Sequence, residues 1–221
     1  MRMRYAEPGM LATLGLATKG TRITKWNGGE EEMKEADVLK VLADTGAMLT
    51  GHFELRSGLH SDRFFQCANA LRYPEAAEKL CRALAAKMQP VLAGGVDAVI
   101  SPALGGLIVG HELARALGVM SIFAEKADGV LVMRRFRIVP GARYVVGEDV
   151  VTRGGRVQET VDIVRAGGGV VTAIGVLVDR SAGNAHFDVP MTSLIEMAPT
   201  VWEPGACPLC KTGSKAEHPG S

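Results

Sequence analysis

The hydrophobic positions change rhythm several times along the chain, and each change marks an element. In KEADVLKVLADTGAML, apolar residues recur at Val38, Leu39, Leu42 and Ala43 and stop near Gly46. That spacing predicts a helix with one buried face. HFELRSGLHSDRFFQC follows with two short apolar-aromatic runs around Ser57-Gly58, the pattern of a β-hairpin. Pro74 opens a longer helix to about Leu92, with Ala77, Leu80, Cys81, Leu84 and Met88 on one side. The chain then alternates. Strands are expected at Ala98–Ile100, Val119–Ala124, Tyr144–Glu148 and Val170–Val178. Helices are expected over Leu107–Leu117 and around Val157, Val161 and Val164. Such repetition predicts an α/β fold, a mainly parallel central sheet flanked by helices on both faces. Sheets of this kind bind ligands at the carboxyl ends of their strands.

Composition narrows the class. The 221 residues suffice for one domain with extensions, divided here into an N-terminal extension (1–32), a domain (33–200) and a tail (201–221). Hydrophobic content is 47%, charged content 22% and net charge +1, so neither a nucleic-acid coat nor a polybasic membrane surface is indicated. No stretch approaches the roughly 18 apolar residues of a membrane-spanning helix. The first residues have two arginines and a short apolar run, the outline of a signal peptide, but Glu7-Pro8 and the weak central run argue against one. Residues 1–32 lack periodicity and are expected to be a poorly ordered extension, with Met33 as an alternative start of the folded unit.

Cys67 and Cys81 sit in apolar surroundings and read as small core residues. Cys207 and Cys210 form a lone Cys-x-x-Cys, half of a zinc site. A second copy of the chain, His186 or His218 would have to complete it; an unattached or locally packed tail is the favoured expectation. Nothing resembles a disulfide framework, so a reducing cytoplasm is the expected location.

Candidate chemistry concentrates in VVGEDVVTRGG, residues 145–155. An apolar strand climbs to Glu148 and Asp149, and Thr152, Arg153, Gly154 and Gly155 follow before a helix. Glycine admits close approach of a ligand, and a helix N-terminus receives phosphate. Flanking carboxylates suit sugar hydroxyls and Mg²⁺. The plainer reading is solvated strand-end acids and an ordinary loop. Other phosphate motifs are absent: there is no Gly-x-x-x-x-Gly-Lys-Ser/Thr, and Gly105-Gly106-Leu-Ile-Val-Gly110 has the wrong spacing for Gly-x-Gly-x-x-Gly. His111-Glu112 lacks a second histidine for a zinc-protease motif, so His111 reads as a helix-surface residue. Residues 126–143 join two strands without an obvious helix and carry Lys126, Arg134, Arg135, Arg137 and Arg143. Long basic connections in compact domains are commonly functional or mobile.

The stretch VVGEDVVTRGG resembles the phosphoribosyl-pyrophosphate motif of type I phosphoribosyltransferases. FELRSGLHSDRFFQ, SPALGGLIVG and VLVDR are similar, in order, to segments of the orotate phosphoribosyltransferase family, and the resemblance spans roughly residues 34–197. It implies a helix/hairpin hood at the N-terminus, a mobile basic loop, Mg²⁺ bound mainly through the phosphoribosyl pyrophosphate, and a homodimer whose lid acts in trans. Glu148 and Asp149 would bind the ribose hydroxyls; Thr152, Arg153, Gly154, Gly155 and Arg156 would hold the 5′-phosphate. Ala103, Leu104, Gly105 and Gly106 would cradle pyrophosphate through backbone amides. Arg180 would pair with the carboxylate of orotate, Phe64 and Phe65 would line the base pocket, and Arg56 would reach the base or the phosphates. Catalytic groups are expected at Asp149 and, in the lid, at Lys126, Arg134 and Arg135. The chain departs from the pattern at Gly147, where an apolar residue is usual, at Arg153 and Arg156, where small residues are common, and in lacking a lysine in the pyrophosphate loop. A purine phosphoribosyltransferase and a non-catalytic phosphoribosyl-pyrophosphate-binding regulator are the alternatives.

Overall fold

Two sheets of different kinds organise the chain, whose computed structural model describes residues 33–55 and 57–219. These fall in one unit, Glu32–Ser221; the extension at 1–32 and Arg56 lie outside the described residues. The chain opens with α1 (Glu35–Asp44), β1 (Met48–Glu54) and β2 (His60–Phe65). The one-turn α2 (Ala68–Leu71) leads to α3 (Pro74–Met88), which runs on as a tight 3₁₀ turn, Gln89–Leu92. Pro74 stands in the first turn of α3, where its missing N–H costs nothing. Five strands and two helices then alternate through the domain: β3 (Ala98–Pro102), α4 (Gly105–Leu117), β4 (Met120–Ala127), β5 (Val130–Val132), β6 (Arg143–Val151), α5 (Gly155–Ala166) and β7 (Val170–Asp179). The described chain closes with β8 (Met191–Glu196), β9 (Val201–Trp202) and the one-turn α6 (Pro208–Lys211).

The larger sheet has the order β5-β4-β3-β6-β7-β8. All its pairs are parallel except β4 with β5. Successive residues of its inner strands enter different cores. Val145, Ala173 and Leu177 pack with α1, α3 and α4, through Val38, Leu42, Leu80, Leu84 and Leu113. Tyr144, Val146, Ile174 and Val176 pack with Val157, Val161 and Val164 of α5. A sheet covered on both faces requires strands apolar on both faces, which is why these strands read as unbroken apolar runs.

Residues 126–143 hold no helix, as the sequence suggests, but contain a strand of their own, β5. The first part turns back as the β4–β5 hairpin, with Lys126 opposite Leu131. The second part lies on the α5 core, where Phe136, Ile138 and Ala142 pack and Phe136 meets Phe123 edge-on at 5.1 Å. Val139 N–H donates to the hydroxyl of buried Tyr144 at 3.0 Å.

The smaller sheet, β1-β2-β9, is antiparallel and forms the hood. β9 comes from the far end of the chain, pairing Trp202 with His60 and Val201 with Ser61. Glu217 N–H donates to His52 O, and Glu54 N–H donates to Glu217 O, both at 2.8 Å. The tail is therefore locally packed, attached to the hood by backbone hydrogen bonds on both sides of α6.

Candidate active site

β6 carries the acid pair. It does not stop at Glu148, as the sequence suggests, but continues to Val151, because Val150 and Val151 pair with Val178 and Asp179 of β7. Glu148 is buried and Asp149 half-buried. Asp149 N–H donates to Glu148 Oε1 at 3.1 Å, and Val150 N–H donates to Asp149 Oδ1 at 2.8 Å. Burial raises the pKa of Glu148, and the neighbouring Asp149 charge raises it further. Burial also raises that of Asp149. The positive charge of Arg156, at the start of α5, opposes this shift at Glu148.

Facing them is the loop from β3 into α4. A Cβ on Gly105 would lie 3.1 Å from Asp149 Oδ1, and one on Gly106 would lie 2.7 Å from Glu148 Oε1 and 3.0 Å from Gly147 O. Only glycine lets this turn rest on the acid pair. The amides of Gly105 and Gly106 belong to the first helical turn, which leaves them without intrahelical acceptors. Ala103 differs: its N–H is engaged by Ala124 O at 2.8 Å, so the amide cradle expected over Ala103–Gly106 is left to the residues after it. Leu104 stands 85% exposed at the rim.

Thr152 to Arg156 form the other wall, at the N-terminus of α5. Gly154 has φ of 76°, and a Cβ there would come within 2.7 Å of the Phe187 ring. Thr152, Arg153, Gly155 and Arg156 are exposed, with Arg156 Nη1 donating to Glu159 Oε2 at 2.9 Å. The walls enclose about 910 Å³, lined by residues 102–105, Gly129, residues 148–159 and Asp162. That is ample for a phosphorylated sugar with its leaving group.

Arg180 follows β7. Its guanidinium carbon lies 5.5 Å from the centre of the Phe65 ring, and its Nε is buried without a hydrogen-bond partner among the described residues. Burial lowers its pKa. Burial raises the pKa of the Cys67 thiol, and the Asp149 charge raises it further. Asp179 does not pair with Arg180 but accepts from Ser181 N–H at 2.8 Å. Phe64 packs against Phe53 at 5.9 Å, so of the two aromatics expected at the base, Phe65 is the one beside Arg180.

No family model matches the chain. Among curated proteins, orotate phosphoribosyltransferase of Pelotomaculum thermopropionicum is 47% identical over 190 residues, covering 86% of this chain and 98% of that protein. Orotate phosphoribosyltransferase of Desulforamulus reducens is 44% identical over the same shares. The chain belongs to the orotate phosphoribosyltransferase family. Among solved structures, orotate phosphoribosyltransferase from Aeropyrum pernix superposes with a TM-score of 0.59 at 27% identity, covering 72% of this chain and 93% of that one. An adenine phosphoribosyltransferase from Rhodothermus marinus, at 21% identity and TM-score 0.55, shares the fold.

Phe64, Phe65 and Arg180 are not part of the lining of the cavity beside the acid pair, and neither are the residues expected to act in the lid. Lys126, Arg134 and Arg135 are exposed and do not line it, and Arg135 Nε donates to Glu125 Oε2 at 3.0 Å. Arg56 is outside the described residues. The tail cysteines have partners that sequence reasoning missed. Cys207 and Cys210 meet His52 and His60 of the hairpin, not His186 or His218. A signal was present: His52 and His60 flank the Ser57-Gly58 turn, and in an antiparallel hairpin such positions project from one face. No helix among the described residues is long and apolar enough to cross a membrane.

Proposed function

We propose that the chain transfers the phosphoribosyl group from 5-phosphoribosyl 1-pyrophosphate to N1 of orotate, giving orotidine 5′-monophosphate and pyrophosphate, a step of pyrimidine biosynthesis. The observation that carries the choice of base is Arg180: a half-buried guanidinium over Phe65 at the end of β7, with its Nε unpartnered among the described residues. A planar fork suits the carboxylate of orotate; hypoxanthine and adenine offer no such group. Glu148 and Asp149 receive the ribose hydroxyls, and the first turn of α5 receives the 5′-phosphate. The amides of Gly105 and Gly106 meet the departing pyrophosphate, on which negative charge grows as C1 turns cationic. An all-oxygen acid pair suits a hard divalent ion. Asp149, the less buried acid, is the residue to hold Mg²⁺ delivered with the donor, where the ion would offset the charge of the leaving group.

The lid reading is also a proposal. Lys126, Arg134 and Arg135 do not line their own cavity, although Gly129 of the same hairpin does; the reading is a homodimer in which each lid serves the neighbouring site. One assay tests the function: the protein is incubated with donor and Mg²⁺ and with orotate, hypoxanthine or adenine in turn. Loss of orotate alone is expected. Consumption of a purine would overturn the reading in favour of a purine enzyme, and donor binding with no consumption of any base would favour a regulator.

A further inference from the structure

We infer that His52, His60, Cys207 and Cys210 form a structural zinc site that staples the C-terminal tail to the hood. Their ligand atoms all lie within 4.8 Å of one another. Cys207 Sγ is 3.5 Å and Cys210 Sγ 3.7 Å from His52 Nε2, and Cys210 Sγ is 3.3 Å from His60 Nδ1. The two nitrogens are 2.9 Å apart. Zinc bonds of about 2.0–2.1 Å to nitrogen and 2.3 Å to sulfur set tetrahedral edges of about 3.3 Å between nitrogens and 3.6 Å between nitrogen and sulfur. These four separations match those edges within a few tenths of an ångström, and the remaining two lie within 4.8 Å.

The donors come from two places and converge. Glu54 pairs with His60 across the hairpin, and His52 lies two residues from Glu54 on the same face, so the two imidazoles are diagonal neighbours. Cys207 precedes α6 and Cys210 lies within it, one turn apart. His52, His60 and Cys207 are buried. The other ring nitrogen of His52, Nδ1, is 3.1 Å from Ser214 Oγ. Donating its proton there leaves the Nε2 lone pair for a metal, the outer-shell contact that fixes ligand histidines. Two thiols and two imidazoles are soft and borderline donors, suited to zinc and unsuited to Mg²⁺. Each thiol releases its proton to solvent as the metal binds. A span of 4.8 Å holds a single ion, with no room for a two-iron cluster between the thiolate and imidazole pairs.

The site lies apart from the transfer chemistry, so its test does not read turnover. The full chain, without a histidine tag, is purified under reducing conditions without chelator, and its metal content is measured by plasma mass spectrometry. One zinc per chain is expected, retained through gel filtration. Cys207→Ser and Cys210→Ser are expected to lose it, His218→Ala to keep it, and Ser214→Ala to bind about tenfold more weakly. Cobalt exchanged into the wild-type chain should give the visible absorption of a tetrahedral thiolate site, a readout that needs no variant to fold. Folded wild-type protein without zinc, or with Cys207 and Cys210 joined in a disulfide, would overturn the proposal. So would zinc retained in full by Cys207→Ser/Cys210→Ser.

Discussion

The acid pair shows at the scale of single residues how a site is held at a cost to the fold. Burial raises the pKa of both Glu148 and Asp149, so the folded chain holds protons that the unfolded chain has released. Its stability therefore falls as pH rises from the ordinary carboxylate range through the raised values. Glu148→Gln/Asp149→Asn removes that dependence. The double variant should melt higher than wild type at neutral pH without ligand, keep its far-ultraviolet circular dichroism, and lose nearly all turnover. A variant that melts lower, or that turns over normally, contradicts the role given to the pair. Arg180→Ala separates the base from the donor. Losing charge-assisted hydrogen bonds worth about 1.5–3 kcal/mol should raise the KM for orotate by about ten- to a hundredfold, with the KM for the donor little changed; steady-state kinetics with each substrate varied would decide. The acids and glycines were legible because a short motif carries its own chemistry. The partner of Cys207 and Cys210 was not, because His52 and His60 become neighbours of the tail only through pairing across most of the chain.

Among elements, the position of α4 on β6 matters most. A Cβ on Gly147 would lie 3.4 Å from Gly110 Cα, and one on Gly110 would lie 2.6 Å from Ser101 Cβ. The glycine that breaks the apolar motif at 147 thus faces Gly110 of α4, and Gly147 pairs with Gly175 of β7. Gly110→Val overpacks this contact and should cost about 1–3 kcal/mol, a fall of roughly 2–12 °C in thermal midpoint for a domain of this size. Gly205→Ala, where a Cβ meets nothing within 4 Å, should leave the midpoint unchanged; scanning calorimetry of both checks the contrast. The helices and inner strands were legible because their apolar periodicity is long. β5, β8 and β9 were not. Each is short or lies at a sheet edge, and β9, two residues long, is defined only by its pairing with β2.

For the whole molecule, the test is one of assembly. Arg180→Ala and Lys126→Ala chains, each with little activity alone at orotate well below the raised KM, are mixed and allowed to exchange subunits. If each lid serves its neighbour, one site of every heterodimer gathers both defects and the other none. Activity should then recover toward about a quarter of wild type. No recovery would mean that each lid serves its own site, and a fully active monomer in light scattering would remove the dimer altogether.

The β2–β9 pairing also fixes an order of events during synthesis. Ser61 Oγ donates to Thr200 O across 139 residues, so a ribosome must deliver nearly the whole domain before the hood's third strand exists. The parallel sheet and its helices are complete in sequence by Glu196 and can condense first, with the hairpin left as a two-stranded ribbon, a form of marginal stability in water. Closing so long a loop then becomes a matter of docking a tail on a finished body rather than of searching an open coil. A nascent chain halted before residue 201 should already resist protease across the large sheet while its hairpin is cut, and release of the last twenty or so residues should protect it.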